Sequence, residues 1–90
     1  MTDVRAMGMM TVLMSQESLK TEEDAEKRLE EVAKEEEGYL GGRVLPPGKA
    51  QKKIWLVQTY FVDNGGKPPP GMARLHIPAD SPEAYGIKAA

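Results

Sequence analysis

Few side chains in this chain have the types and spacing that chemistry needs. His76 is the sole histidine and cysteine is absent, so a zinc site would have to rely on carboxylates, which zinc rarely does alone. No metal site is expected. Strand alternation puts His76 on one face with Met72 and Arg74, opposite Ala73, Leu75 and Ile77. A general base also needs a pocket and a proton within reach. If the chain is an enzyme, His76, Tyr60 and Arg74 are the residues expected to carry the reaction. Otherwise it has no catalytic residue. Ser15, Ser18 and Ser81 sit in no nucleophile elbow. Gly41-Gly42 follows a helix instead of opening one and lacks phosphate-loop spacing. Backbone clearance in a bent strand explains that pair better.

Other constellations also favour packing. Lys49, Lys52, Lys53, Lys67 and Arg74 lie near Trp55, Tyr60 and Phe61 in sequence, a mixture that single-strand nucleic-acid binders use as groove and stacking platform. Here Tyr60 and Phe61 fall on opposite, otherwise apolar faces, and the isoelectric point is about 5.4. Nucleic acid is not the expected partner. Lys67–Pro70 reads as an extended polyproline segment, more a stiff loop than a ligand for an aromatic groove. Met7, Met9, Met10 and Met14 suit apolar sheet packing.

The elements that must position these residues are uneven in number. Val4–Met14 and Lys53–Asp63 read as strands that are apolar on both faces. In the second, Ile54, Leu56, Tyr60 and Val62 oppose Trp55, Val57 and Phe61. In the first, Val4, Met10, Val12 and Met14 oppose Met7, Met9 and Leu13. A sheet with one wet face would alternate apolar and polar residues instead. Only Thr21–Glu37 reads as a helix able to roof a face. Thr21 is the expected N-cap, with Asp24 three residues on. Ala25, Leu29, Val32 and Ala33 form its apolar stripe. Glu23–Lys27, Asp24–Arg28 and Glu30–Lys34 are candidate exposed pairs, and Gly38 is the natural stop.

Ser15–Lys20 reads as a largely polar connection, and Gly8 as a bulge or a close backbone approach within the first strand. Tyr39–Leu45 is a short bent strand, Asp63-Asn64-Gly65-Gly66 a turn, and Met72–Ile77 a last strand stopped by Pro78. The order is β-α-β-β-β: a single α+β domain over residues 1–90, with an antiparallel sheet and one helix on one face. Residues 64–90 and the choice of face for the helix are not fixed by these patterns.

Ninety residues give a marginal core when the chain is alone, and without cysteine no disulfide reinforces it. Charge is asymmetric: Glu17–Glu37 holds ten acids against four bases, while the remainder holds eight bases against four acids. The acidic run is read as a solvated helix face. Ala6–Met14 is too short to span a bilayer and lacks signal-peptide flanks. A soluble, cytoplasmic protein without a membrane partner is expected.

The element order, with the helix running into Gly38-Tyr39-Leu40-Gly41-Gly42-Arg43-Val44-Leu45, resembles ferredoxin-like domains of the dimeric α+β barrel type, in particular the antibiotic-biosynthesis-monooxygenase-like group. The resemblance covers roughly Val4–Asp63. It implies two sheets packed face to face and, in the enzymes of the group, a cofactor-free or haem-dependent oxygenase or isomerase. Pro68–Pro70 and the absence of a clear second helix depart from the pattern.

The expectation is therefore a small non-catalytic, oligomeric module without a cofactor. It would act by self-association or by binding a protein partner through an apolar sheet face, with Trp55, Val57, Phe61, Met7 and Met9 at the interface. The alternatives are the barrel-type enzyme and a minor subunit of a larger complex. Convergent polar groups in an apolar cavity would favour the enzyme.

Overall fold

The computed structural model describes residues 8–48 and 53–87. Strand β1 runs Met9–Leu19, helix α1 Glu22–Glu35, strand β2 Tyr39–Leu45, β3 Trp55–Val62 and β4 Met72–Pro78, followed by a 3-10 turn at Pro82–Tyr85. The four strands form one antiparallel sheet in the order β2-β3-β1-β4. Strand β3 pairs antiparallel with both β1 and β2, so those two run parallel and α1 links them. The described residues form a small α+β domain with one α-helix on one face.

Helix α1 forms for local reasons. Thr21 is extended, and its side chain accepts a hydrogen bond from the Asp24 backbone N–H at 3.0 Å. Glu22, Glu23 and Asp24 fill the first turn, where the helix dipole favours negative charge. Ala25 and Val32 are buried against the sheet, Leu29 is half-buried, and Glu23, Glu26 and Glu30 face outward. Ala33, expected in the stripe, is exposed. Arg28 also departs from expectation, because it turns to Glu17 of β1 at 2.7 Å and to Glu31 at 3.6 Å in place of Asp24.

The first strand is shifted from its expected place. Residues 4–7 lie outside the described residues, and the strand continues through Ser15–Leu19, the expected connection. Its ladder with β3 runs from Val12↔Val62 to Leu19↔Trp55. Long-range pairing overrides side-chain polarity here, and Gln16 and Glu17 each find a side-chain partner. Gln16 Oε1 accepts from Gln58 Nε2 at 2.8 Å, Glu17 meets Arg28, and the Ser15 carbonyl accepts from Thr59 Oγ1. Gly8 precedes the strand, and its carbonyl accepts from the Ala79 N–H.

The loop between β3 and β4 is also tighter than a run of extended polyproline. The Met72 N–H bonds to the Pro69 carbonyl at 3.0 Å, and Gly71 has φ 85°. Proline and then a left-handed glycine at the two central positions is the type II turn signature, so Pro70 is spent on the turn.

The sheet has two apolar faces. Beneath α1, Leu13, Val32 and Phe61 form one cluster, with Tyr39 and Met72 packed on it. On the opposite face Val12, Tyr60, Ile77 and Ile87 form another, with Met10, Met14, Leu40, Leu75 and Tyr85 around it. A bulge in the β2–β3 ladder between Tyr39 and Gly41 changes the register at this end.

Candidate functional site

The helix settles which sheet row is covered. Trp55, Val57 and Phe61 share the face that carries α1, and Val57 and Phe61 are 1% and 5% exposed. Val57 and Phe61, expected at an interface, are already buried within the chain. Trp55 and Met9 are half-buried, and Met7 lies outside the described residues. The less covered row is the other one.

That second face is roofed only in part, by the chain's own C-terminal segment. After β4 the chain crosses the sheet to the opposite edge, where Ile87 bridges Gly41 of β2. Ile87 fills the cluster of Val12, Tyr60 and Ile77, and the Tyr85 ring meets Tyr60 edge-on at 5.7 Å between centroids. Two glycines make the approach possible. A Cβ at Gly41 would sit 2.5 Å from Ile87 Cα, and one at Gly86 would strike the Gly42 carbonyl. Gly42 in turn faces the helix, where a Cβ would come within 2.7 Å of Leu29 Cδ1. Clearance is what the glycine pair supplies, as expected, and the neighbours it clears are now identified.

Next to this segment a polar row crosses three strands. Arg43, Gln58 and Gln16 occupy successive positions in the ladders of β2, β3 and β1. Arg43 Nε donates to Gln58 Oε1 at 3.0 Å, the Tyr60 hydroxyl donates to the same oxygen at 3.2 Å, and Gln58 Nε2 donates to Gln16. The Arg43 guanidinium also lies 4.8 Å from the Tyr85 ring centroid and donates to the Ala84 carbonyl at 2.9 Å. Burial pushes the Tyr60 phenol above its ordinary pKa, with Arg43 opposing the shift. Leu45 and Leu56 pair beyond the row and are half-buried, while Val62 on the same face is 46% exposed.

The three residues expected to serve a catalytic role are not brought together. Register places His76 and Arg74 opposite Thr11 and Leu13, on the helix-bearing face. Tyr60 belongs to the other face. His76 is exposed and shares a hydrogen bond with Thr11 Oγ1 at 3.0 Å. Arg74 is committed to the β3–β4 loop, where Nε donates to Asp63 Oδ2 at 2.8 Å and Nη2 to the Gly66 carbonyl. Hydrogen bonds from Arg74 and then from the Gly65 N–H hold the Asp63 carboxyl below its ordinary pKa, and Asp63 raises that of Arg74.

Among the described residues no group of three or more His, Cys, Asp or Glu converges to hold a metal, no cavity opens, and no helix is long and apolar enough to cross a membrane. Sequence reading missed the Arg43–Gln58–Gln16 row. Its signal was present, as polar residues interrupting two otherwise apolar strand faces. Comparison with protein families, with curated proteins and with solved structures gave no match.

Proposed function

We propose that this chain is a small oligomeric module that acts through its second sheet face, with another copy of itself as the occupant. The observation that carries this reading is the apolar residues left at both ends of β3 once the C-terminal segment is seated. Leu45 and Leu56 stay half-buried and Val62 exposed on a face where, among the described residues, the one charged strand residue is Arg43. A second copy is the occupant proposed because it presents the same apolar residues. A two-fold contact brings the same patch against itself, and carboxamides such as Gln16 and Gln58 both donate and accept. Sheets packed this way align with side chains interdigitating between them.

On this reading the protein is non-catalytic, and its likeness to the ferredoxin-like dimeric barrels lies in element order and mode of assembly. Sedimentation of the full chain over a micromolar range is the test. Wild type should associate, Leu56→Glu and Val62→Glu should give monomers, and Glu26→Ala on the outer helix face should change nothing. A wild type that stays monomeric throughout would refute the reading. Association that survives both glutamates would refute the choice of face.

A further inference from the structure

The C-terminal segment is built differently from the elements it rests on. Its backbone hydrogen bonds are mostly its own: Ala84 N–H to Ser81 at 3.2 Å, Gly86 N–H to Glu83 at 3.0 Å and Ile87 N–H to Pro82 at 3.1 Å. These survive if the segment lifts away. Among the described residues, its polar ties to the sheet are the Gly41↔Ile87 bridge and the Arg43 contact with the Ala84 carbonyl. Its apolar hold comes from Tyr85 and Ile87, whereas Ser81, Glu83, Ala84 and Gly86 are exposed. The connection back to β4, Ala79–Ser81, is exposed as well. Beneath it lies the most thoroughly buried part of the second face, with Val12, Tyr60 and Ile77 at 0%, 1% and 3% exposure.

We propose that residues 82–87 form a detachable strap that occupies, within one chain, part of the surface on which a second copy docks. This rests on the association described under Proposed function and adds its control. Seated, the strap fills the groove over Tyr60 and caps the edge of β2 at Gly41. Released, it uncovers the apolar patch of Ile77, Val12 and Tyr60, which adjoins Val62, and frees the β2 edge. A preformed unit held by two side chains and two polar ties costs little ordering on return, so the strap competes with a second copy docking on the same face. The glycines set the fit, because Gly86 has φ 79° and leaves no room for a methyl group against the Gly42 carbonyl.

The test compares wild type with Gly86→Ala and with Tyr85→Ala, each as the full chain. Strap release is read from exposure of Tyr60 and the fold from the amide signals of α1 and β1–β3. Both variants should expose Tyr60, keep the fold and associate at least tenfold more tightly than wild type. A synthetic peptide of residues 79–87 added in excess should return them towards the wild-type state. Equal association of wild type and variants, with Tyr60 exposed in the variants, would overturn strap control and leave self-association standing. Monomers in every case, with Tyr60 exposed, would overturn both. Loss of the fold in both variants would make the segment an inseparable part of the core and overturn the strap.

Discussion

The Tyr85 ring stands at 83° to the Tyr60 ring, with 5.7 Å between their centroids. Such an edge-on pair contributes about 0.5–1.5 kcal/mol beyond the area it buries. It joins the C-terminal segment to the centre of the sheet, and its loss has a titration signature. Burial raises the Tyr60 pKa, so its contribution to stability is complete below the unfolded value of about 10 and is lost as pH rises through the folded one. Tyr85→Ala should move the Tyr60 phenolate transition down towards the ordinary range, as followed by ultraviolet absorbance. An unmoved transition would mean that other groups bury Tyr60.

Phe61 and Glu26 test which side of the sheet holds the helix-facing core. Phe61 is 5% exposed and meets Tyr39 edge-on at 6.0 Å. Phe61→Ala should cost about 3–5 kcal/mol, a large share of a small domain's stability. Glu26→Ala should stay within about 0.5 kcal/mol. Denaturant unfolding of the two variants measures the difference, and similar values would reject the assignment of faces.

Gly42→Ala is expected to wedge the helix away from β2. The new methyl would meet the Gln58 carbonyl at 2.7 Å as well as Leu29 Cδ1. Overpacking of this kind costs about 1–3 kcal/mol. Pairing it with Leu29→Ala should recover part of the loss, because one of the two obstructing groups is then gone. A double-mutant cycle reads that coupling.

Acid should loosen the β3–β4 loop before it affects the rest. The Asp63 pKa is lowered by Arg74 and by the Gly65 N–H, so the loop contacts are fully present above the unfolded value of about 3.9 and fade as pH falls through the folded one. In Arg74→Met the Asp63 carboxyl should titrate closer to its ordinary range, as resolved by NMR of the side-chain carbon. An unchanged titration would place the dominant cause elsewhere.

His76→Ala should leave both fold and association intact. The residue is exposed and shares a hydrogen bond with Thr11, so the change should stay within about 0.5 kcal/mol. In a functional assay, a hundredfold loss with the fold unchanged would fall in the range of a missing general acid or base and favour the barrel-type enzyme over the non-catalytic module.

Local signals were legible in the chain itself. Thr21, the acids after it and the apolar spacing of Ala25, Leu29 and Val32 specify α1, because caps and periodicity act over one or two turns. Tyr39–Leu45 and the opposing rows of β3 follow from strand alternation in the same way. The β1 extension through Ser15–Leu19 was not legible, because Gln16, Glu17 and the Ser15 carbonyl are held by Gln58, Arg28 and Thr59, distant in sequence. Nor was the partial cover of the second face by Tyr85 and Ile87. Two apolar residues in a polar, glycine-containing tail carry no period, and their place is set by the clearance that Gly41 and Gly86 leave. Composition and period determine which elements form and which rows are apolar. Which row lies under the helix, and what roofs the other, depends on shape complementarity between distant segments, which only the tertiary structure decides.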